Sequence, residues 1–379
     1  MKYDVAVVGL GGMGSAILAQ CAARGARTIG VEQYGAAHDL GSSHGRSRMI
    51  RKSYFEDSAY VPLLRRAYDL WRELEQTSGA AIFTATGVLT VGEAASAIVT
   101  GTLRAGAEHD LPLLKLSARE VEARYPGVKM LPDEMAVLEE DAGVLDPEGA
   151  VNAQLKVART HGAEMQFGAL MKNWEAAGDG FDVLFADGRK IATRALVLSL
   201  GPWFKETLES LGVPIRIQRN VQAWFTPSSD AFRAPGFPGF LVDRRGLSAP
   251  LYGFPDFGHG VKAAFHGSRV ETDVEHLDRT IEAARDIDPL IRSLEEWMPG
   301  AAQSLRHATV CMYTLSPDEH FVIDHHPRHP NLILCGGFSG HGFKFAPVVG
   351  EIAAELALSG GTRHDIGFLS LHRFRQGKD

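Results

Sequence analysis

The stretch Val7-Val-Gly-Leu-Gly-Gly-Met-Gly14 decides the fold of this chain. It overlaps the mostly apolar run Tyr3–Val8, which is typical of a strand buried on both faces. An alanine-rich segment, Ser15–Arg24, predicts a closely packed helix, and Thr28–Val31 predicts a second strand that ends at Glu32. The order strand, glycine turn, helix, strand predicts the βαβ unit that opens a dinucleotide-binding fold.

The glycines of this turn, Gly9, Gly11 and Gly14, have the spacing of the dinucleotide fingerprint. A carboxylate at Glu32 can accept hydrogen bonds from an adenosine ribose and would disfavour a 2′-phosphate. The spacing does not distinguish NAD from FAD, and three glycines alone would also suit a tight turn with a surface glutamate. The strand before the turn and the helix after it favour nucleotide binding.

Composition narrows the class of protein. A chain of 379 residues exceeds what one core usually holds, so we expect two domains. The net charge of −7 argues against a nucleic-acid partner. Three cysteines, Cys21, Cys311 and Cys335, cannot form a disulfide framework, which fits a reducing cytoplasm. The sequence contains no run of about 18 apolar residues, so no membrane-spanning segment is expected.

Periodicity predicts the remaining elements. Alternation predicts a strand at Phe83–Val91, and helical spacing predicts helices at Val61–Gln76, Ala118–Tyr125, Glu148–His161 and Phe345–Leu358. From Arg216 to Phe265, short alternating segments broken by proline and glycine suggest an antiparallel sheet. The elements of the parallel sheet lie in separate stretches, so we expect a discontinuous nucleotide domain interleaved with an antiparallel domain.

A second glycine-rich loop, Gly337-Phe-Ser-Gly-His-Gly-Phe-Lys344, precedes the last helix. Such a loop lets backbone N–H groups approach a ligand, so we expect both ends of the chain to build one flavin site. The helix that starts there carries partial positive charge, which would stabilise a reduced flavin at its N1–C2 carbonyl edge. Lys344 could meet a substrate carboxylate there, or it could simply be exposed to solvent.

Three further features allow more than one interpretation. The segment Gly41–Arg48, followed by Arg51, could serve a pyrophosphate or another anion, or it could be a solvated basic loop. A cysteine in a strand, such as Cys311, is usually an inert small hydrophobic residue. A histidine-rich segment is interpreted as a polar turn rather than a metal site; its histidines are His320, His325, His326 and His329.

Several runs together resemble those of one known family. They are Gly41-Ser-Ser-His-Gly-Arg-Ser-Arg-Met-Ile-Arg51, Cys311-Met-Tyr-Thr-Leu-Ser-Pro-Asp-Glu-His-Phe-Val-Ile-Asp324 and Gly337–Lys344, with support from Gly201-Pro-Trp203 and Tyr252-Gly-Phe-Pro255. Over nearly its whole length the chain resembles the family of monomeric sarcosine oxidase, N-methyltryptophan oxidase and the pipecolate-oxidising peroxisomal sarcosine oxidase.

The resemblance implies a mixed α/β (α+β) fold, with a Rossmann-like FAD-binding domain and an interleaved, mainly antiparallel β-sheet substrate domain. The FAD-binding domain would cover residues 1–83, 145–217 and 312–379, and the substrate-binding and catalytic domain residues 84–144 and 218–311.

The resemblance also implies an activity. The protein would be a cytoplasmic monomer that oxidises a secondary amino acid, N-methyl or cyclic (sarcosine, pipecolate or proline), and reduces O2 to hydrogen peroxide. FAD would be bound covalently through its 8α-methyl group to Cys311. No metal, nucleic-acid or membrane partner is expected. Open alternatives are glycated amino acids as substrates, a dehydrogenase that uses an acceptor other than O2, and a flavin-binding regulatory protein without turnover.

The resemblance assigns roles by position. Arg51 and Lys344 would clamp the substrate carboxylate, and Lys262 would activate oxygen near flavin N5. His266 would be an active-site histidine, Tyr252 and Tyr313 would line the substrate pocket, and His44 and Arg48 would lie close to the flavin ring. The expected cofactor-binding set is Gly9, Gly11, Gly14, Glu32, Ser42, Ser43, Arg48, Met171, Cys311, Gly337, Gly340, Gly342, Phe343 and Lys344.

The chain departs from the family at one place that bears on the substrate. Arg46-Ser47 stands where the bacterial sarcosine and N-methyltryptophan enzymes commonly have Asp-Thr, so this loop is closer to that of the pipecolate-oxidising branch. Arg46 adds positive charge near the expected pocket entrance, which would suit an acidic substrate.

Overall fold

The computed structural model describes residues 2–374, and the ends of the predicted FAD-binding domain, residue 1 and residues 375–379, lie outside this range. Within it, the α-helices are α1 (Gly12–Ala23), α2 (Val61–Ser78), α3 (Ala97–Glu108), α4 (Ala118–Arg124), α5 (Pro147–Thr160), α6 (Lys205–Ser210), α7 (Asp288–Trp297) and α8 (Ala346–Ser359). No helix in the described range is both long and apolar enough to cross a membrane.

The strands of the same range form three sheets. They are β1 (Tyr3–Val8), β2 (Thr28–Val31), β3 (Arg48–Ile50), β4 (Phe83–Ala85), β5 (Val88–Glu93), β6 (Leu113–Ser117), β7 (Glu134–Glu139), β8 (Gly143–Leu145), β9 (Glu164–Gln166), β10 (Met171–Ala177), β11 (Gly180–Phe185), β12 (Lys190–Leu198), β13 (Arg216–Thr226), β14 (Gly239–Asp243), β15 (Leu251–Phe254), β16 (Val261–Phe265), β17 (Glu271–Thr272), β18 (Ser304–Leu315), β19 (Val322–His326) and β20 (His329–Gly336).

The first sheet is the nucleotide-binding sheet. Its strands β9, β2, β1, β12 and β20 run parallel, and β10, β11 and β19 add antiparallel pairs at its margins. Its core strands are buried on both faces, because α1, α5 and α8 cover one face, and a second cluster that includes Phe204 and Leu208 covers the other. The predicted βαβ opening is therefore present, and α1 begins at Gly12, inside the glycine turn.

The second sheet has the order β17-β13-β16-β15-β14-β5-β7-β6, with β18 also paired to β13. Its pairs are antiparallel except β14 with β5. This confirms the predicted fold class, an α/β nucleotide-binding part with an interleaved antiparallel sheet. The exact domain limits remain predictions, because residues 217 and 218 both lie within β13, and residues 311 and 312 both lie within β18.

The predicted strand at Phe83–Val91 is wrong as a single element. The chain turns at Gly87, whose φ of 74° is in the left-handed region that favours glycine. β4 before this turn pairs with β8 in a third, three-stranded sheet, whereas β5 after it joins the second sheet. One alternating run thus connects two sheets.

Candidate active site

A cavity of about 440 Å³ connects the glycine turn after β1 with the inner face of the second sheet. Both ends of the chain line it, through Gly9–Met13 on one side and Gly337–Lys344 on the other. Every predicted site residue lines this cavity except Gly14, His44 and Lys262, which lie behind the lining residues.

Close packing at the glycine turn explains the glycines. A Cβ atom at Gly14 would lie 1.7 Å from the carbonyl oxygen of Gly9, and one at Gly9 would lie 2.2 Å from that of Ser199. At Gly11 a Cβ would meet only the Ser43 hydroxyl, at 3.5 Å, and would otherwise point into open space. The first two positions let strand and helix meet closely, and Gly11 lets a ligand approach the backbone.

Glu32 is bound to the same turn. Its carboxylate accepts hydrogen bonds from the N–H of Leu10 at 2.8 Å and the N–H of Tyr34 at 3.1 Å. Burial alone would raise the pKa of Glu32, but these bonds and one from His38 lower it below its ordinary value. Glu32 is therefore an ionised acceptor in the cavity wall, as recognition of a ribose requires.

The serine-rich loop forms the wall opposite the turn. The Ser43 hydroxyl accepts a hydrogen bond from the N–H of Gly12 at 3.0 Å, and the Ser42 hydroxyl donates one to the carbonyl of Met312 at 2.8 Å. Arg48 donates to the carbonyls of Ser42 and Ser47, each at 2.8 Å. The basic loop is thus packed into the site rather than solvated, except for Arg46, which is exposed and does not line the cavity.

Two buried polar atoms beside the cavity indicate that a polar ligand belongs there. Within residues 2–374, His44 Nε2 and Gln222 Oε1 have no hydrogen-bond partner, although both side chains are almost fully buried. Such orphan atoms are rare and call for an explanation. Burial lowers the pKa of His44 to about 3, so its ring is neutral. The unpartnered atoms of His44 and Gln222, the open approach at Gly11 and the Glu32 acceptor together fit FAD.

Cys311 differs from the other two cysteines in position. It lies in β18 and lines the cavity, with its Sγ 3.8 Å from the carbonyl oxygen of Ser42. Cys21 and Cys335 are buried in the core of the nucleotide-binding part, and burial raises the pKa of Cys21 to about 12. Those two are inert hydrophobic residues, as the sequence predicted.

The far end of the cavity carries two cations and one acid. Arg51 donates to both carboxylate oxygens of Glu56, at 2.9 and 2.7 Å, and Lys344 Nζ donates to the carbonyl of His341 at 2.7 Å. Burial alone would raise the pKa of Glu56, but Arg51, His341 and Lys344 lower it to about 2. Burial lowers the pKa of Lys344 to about 7, although Glu56 opposes that shift. Sequence analysis missed Glu56.

A neutral polar group of side chains also lines the cavity, and we call it the neutral wall. The Tyr313 hydroxyl lies 3.5 Å from the Tyr252 hydroxyl and 3.4 Å from His266 Nδ1. Burial lowers the pKa of His266 to about 4 and raises that of Tyr313 well above its ordinary value. All three side chains are therefore uncharged near neutral pH.

Lys262 lies behind the cavity wall. It is 1% exposed, and its Nζ donates to the carbonyls of Gly45 at 2.6 Å and Ser47 at 3.1 Å. Its ammonium also lies over the rings of Trp224 and Phe254, at 5.0 and 5.2 Å. The resemblance predicted that Lys262 lies near flavin N5. In the structure, Lys262 lies one layer behind the residues that line the cavity.

Sequence reasoning missed Gln222 and His341 as well. Gln222 is a polar residue between apolar neighbours in β13, Val221 and Ala223, which was the available signal. His341 lies inside the quoted glycine loop and hydrogen-bonds Tyr54. Of the histidine-rich segment, His325, His326 and His329 lie in the β19–β20 hairpin, where His325 Nδ1 lies 2.5 Å from the carbonyl of Pro330, and His320 precedes β19.

A glycine turn, a ribose acceptor and a long cavity that carries Arg51 and Lys344 define a dinucleotide-dependent oxidoreductase, and the family comparison identifies the dinucleotide as FAD. The family model described as "FAD dependent oxidoreductase" matches residues 4–356. Monomeric sarcosine oxidase of Streptomyces avermitilis is 43% identical, covering 98% of this chain and 97% of the relative. N-methyl-L-tryptophan oxidase of Salmonella heidelberg is 33% identical, covering 99% of this chain and 100% of the relative.

The chain therefore belongs to the FAD-dependent oxidoreductases and, within them, to the family of monomeric sarcosine oxidase and N-methyltryptophan oxidase. It is a flavin-dependent amine oxidoreductase, which confirms the family that the sequence motifs indicated. Solved structures share the fold: NikD, an unusual amino acid oxidase, superposes with a TM-score of 0.86 at 24% identity, covering 97% of each chain. L-proline dehydrogenase from P. horikoshii superposes with a TM-score of 0.82 at 21% identity, covering 100% of this chain and 99% of the other.

Proposed function

We propose that this protein oxidises the C–N bond of a secondary amino acid, N-methyl or cyclic, with FAD joined to Cys311 and O2 as the final acceptor. The observation that carries the proposal is the pairing of two buried cations, Arg51 and Lys344, with a neutral wall nearby. This arrangement suits a substrate with a carboxylate at one end and an uncharged amine in the middle. The two relatives named above are, by name, oxidases of sarcosine and of N-methyl-L-tryptophan.

The cations bind and orient the substrate. A carboxylate at the far end of the cavity would displace Glu56 from Arg51 and accept a second bond from Lys344. A charge-assisted bond of this kind contributes roughly 1.5–3 kcal/mol. The substrate is then anchored through its carboxylate. The length of the substrate between carboxylate and amine therefore determines how far the amine lies from the glycine loop.

The neutral wall keeps the amine reactive. Tyr252, Tyr313 and His266 offer hydrogen bonds without charge, so the site does not favour an ammonium ion over a free amine. Bound FAD supplies the redox chemistry, in which the carbon next to nitrogen loses a hydride equivalent and O2 becomes H2O2. The resulting imine hydrolyses to an aldehyde and an amine when the oxidised carbon is the N-substituent.

Lys262 acts on the oxygen side. A cation held in a dry site stabilises negative charge that develops beside it, which is worth about 3–4 kcal/mol where single donors have been removed from comparable sites. Burial lowers the pKa of Lys262 well below its ordinary value, and its two bonds to carbonyl oxygens hold the side chain in place and favour its protonated form. This role favours an oxidase over a dehydrogenase that uses another acceptor.

A substrate screen tests the activity. Purified enzyme is given sarcosine, N-methyl amino acids, proline, pipecolate and fructosyl amino acids under air, and peroxide is measured. Glycine is the primary-amine control, and sarcosinamide is the control without a carboxylate. We expect peroxide from at least one secondary amino acid and little from either control.

Peroxide from the fructosyl compounds alone would favour the glycated substrates instead. Loss of flavin colour in the absence of O2, without peroxide under air, would make the protein a dehydrogenase.

The attachment through Cys311 has its own test. The protein is precipitated with acid, and the pellet is examined for flavin absorbance and for the mass of the Cys311 peptide. We expect a yellow pellet for the wild type and for the buried-thiol control Cys335→Ala, and a colourless pellet for Cys311→Ala. A colourless wild-type pellet would show that the FAD is not covalently bound.

Cellular location and oligomeric state complete the proposal. The three cysteines are free in the structure, which fits the reducing cytoplasm, and the curated relatives include enzymes named monomeric. We therefore propose a cytoplasmic monomer. Light scattering of the purified protein gives the mass, and 41.1 kDa is the value expected for one chain.

A further inference from the structure

Glu148 lies in the first turn of α5, opposite the loop that carries Lys262's hydrogen-bond acceptors. Pro147 begins the helix, and the side chain of Asp146 caps it by accepting from the N–H of Gly149 at 3.0 Å. The Glu148 carboxylate then reaches across to that loop. It accepts from the N–H of Gly45 at 2.7 Å and from the N–H of Arg46 at 3.2 and 3.1 Å.

The turn that Glu148 holds has an unfavourable backbone. Gly45 has a φ of 101° and Arg46 a φ of 61°, so a non-glycine residue lies in the left-handed region. Such a strained backbone persists only where the surrounding structure holds it in place. The bonds from two successive N–H groups to one carboxylate provide that restraint.

The same turn fixes Lys262. In the described part of the chain, the ammonium's hydrogen bonds go to the carbonyls of Gly45 and Ser47. A Cβ atom at Gly45 would lie 2.3 Å from Gln222 Oε1 and 3.3 Å from Lys262 Nζ. The side-chain amide of Gln222 and the ammonium of Lys262 therefore both pack against the backbone of Gly45. Gln222 Oε1 is the unpartnered acceptor described above, and it lies on the cavity side.

We infer that Glu148 is a positioning residue, whose carboxylate holds the Gly45–Arg46 turn so that the carbonyls of Gly45 and Ser47 keep the Lys262 ammonium directly behind the cavity wall. The inference rests on the proposed role of Lys262 in the reaction with O2. The charge of Glu148 also favours the protonated form of Lys262. Burial and Arg48 lower the pKa of Lys262, and Glu148 opposes that shift.

The first test follows O2 directly and needs no substrate. The FAD-loaded enzyme is reduced with dithionite without O2 and mixed with O2, and the return of oxidised-flavin absorbance is timed. The variants are Glu148→Ala, Lys262→Met and the double variant. The matched control is Glu75→Ala, which removes a carboxylate that also accepts two backbone N–H groups, those of Ile82 and Phe83, away from the cavity.

We expect Glu148→Ala to slow this rate at least fivefold, Lys262→Met to slow it more, and the double variant to match Lys262→Met alone, because both changes act through one ammonium. A Glu148→Ala rate equal to that of the control, or effects that multiply in the double variant, would overturn the inference while the function stands. If Lys262→Met matched the wild type, the proposed role of Lys262 would fail and the inference with it.

The second test measures the turn itself, on the FAD-loaded enzyme. Hydrogen exchange followed by mass spectrometry reports the amides of Gly45 and Arg46. We expect at least tenfold faster exchange in Glu148→Ala and no change in Glu75→Ala. Unchanged exchange would overturn the inference. Should Glu148→Ala fold poorly, Glu148→Gln retains the shape and one acceptor oxygen, and an intermediate rate is expected in both tests.

Discussion

At the scale of single residues, Glu56 determines the charge at the carboxylate end of the cavity. Its side chain pairs with Arg51, so a ligand carboxylate has to displace it. We predict that Glu56→Gln binds a simple carboxylate such as propionate about 10- to 100-fold more tightly, because Arg51 no longer has a competing partner. Because loss of Glu56 also lowers the pKa of Lys344, titrations followed by flavin absorbance at pH 5.5 and at pH 6 measure the dissociation constant.

The control for this variant is Glu73→Gln, which removes an exposed partner of Arg66 outside the cavity. It should leave the dissociation constant unchanged. An unchanged or weaker affinity in Glu56→Gln would mean that Arg51 is not the residue that binds the carboxylate.

Lys344 should make carboxylate binding depend on pH. Its pKa of about 7 in the free protein means that it loses its proton as the pH rises through 7. Propionate has no titrating group in this range, so its dissociation constant should be flat below pH 7 and rise above it, approaching about tenfold per pH unit. In Lys344→Met binding should be weak and independent of pH. A flat wild-type profile from pH 6 to 9 would contradict the assignment.

Individual site residues differ in how visible they are in the sequence. Arg51, Lys344 and Cys311 belong to long motifs, so the resemblance could assign them. Glu56 carries no motif and acquires its role only because the chain folds its loop back onto Arg51. Gln222 becomes informative only when burial without a partner is seen, which depends on tertiary packing.

At the scale of elements, the packing of α1 against α8 positions the glycine turn. A Cβ at Gly350 would lie 2.8 Å from the backbone carbonyl carbon and oxygen of Ala16. We predict that Gly350→Ala lowers the free energy of unfolding by about 1–3 kcal/mol, since overpacking outweighs alanine's better helix propensity. Urea unfolding measures this. Gly361→Ala, where no atom lies within 4 Å, is the control and should be close to neutral.

Elements with local signals were predictable. Ser117 and Glu120 form a capping box at the start of α4, and Gly79 and Gly360 end α2 and α8 in the left-handed conformation. The division of Phe83–Val91 between two sheets was not predictable from alternation. Alternation describes side-chain direction within one strand and carries no information about which sheet each half joins.

At the scale of the whole molecule, FAD binding should stabilise the fold, because the cavity is lined by both ends of the chain and by both large sheets. Cys311→Ala makes this measurable, since its flavin should be removable. We predict that its melting temperature rises with FAD concentration, with about 2.7 kcal/mol of stabilisation at 100 times the dissociation constant. ADP, which matches only the nucleotide half, should give a smaller shift. No shift with FAD would argue against this cavity as the cofactor site.

The interleaved architecture was predictable because its two parts have different sequence patterns: continuous apolar strands for the buried parallel sheet and short alternating strands for the antiparallel one. The boundaries between the two parts were harder to predict from the sequence. β13 and β18 run through the predicted limits as single long strands, and nothing in their residues marks a change of domain.

The most direct test of the proposed function is the rate at which an N-methyl amino acid bleaches the bound FAD without O2, compared with its carboxamide. We predict rapid bleaching by the acid and bleaching about 10- to 100-fold slower by the amide, which cannot accept the charge-assisted bonds from Arg51 and Lys344. Equal rates for acid and amide would contradict the carboxylate clamp. No bleaching by any secondary amino acid would contradict the proposed function itself.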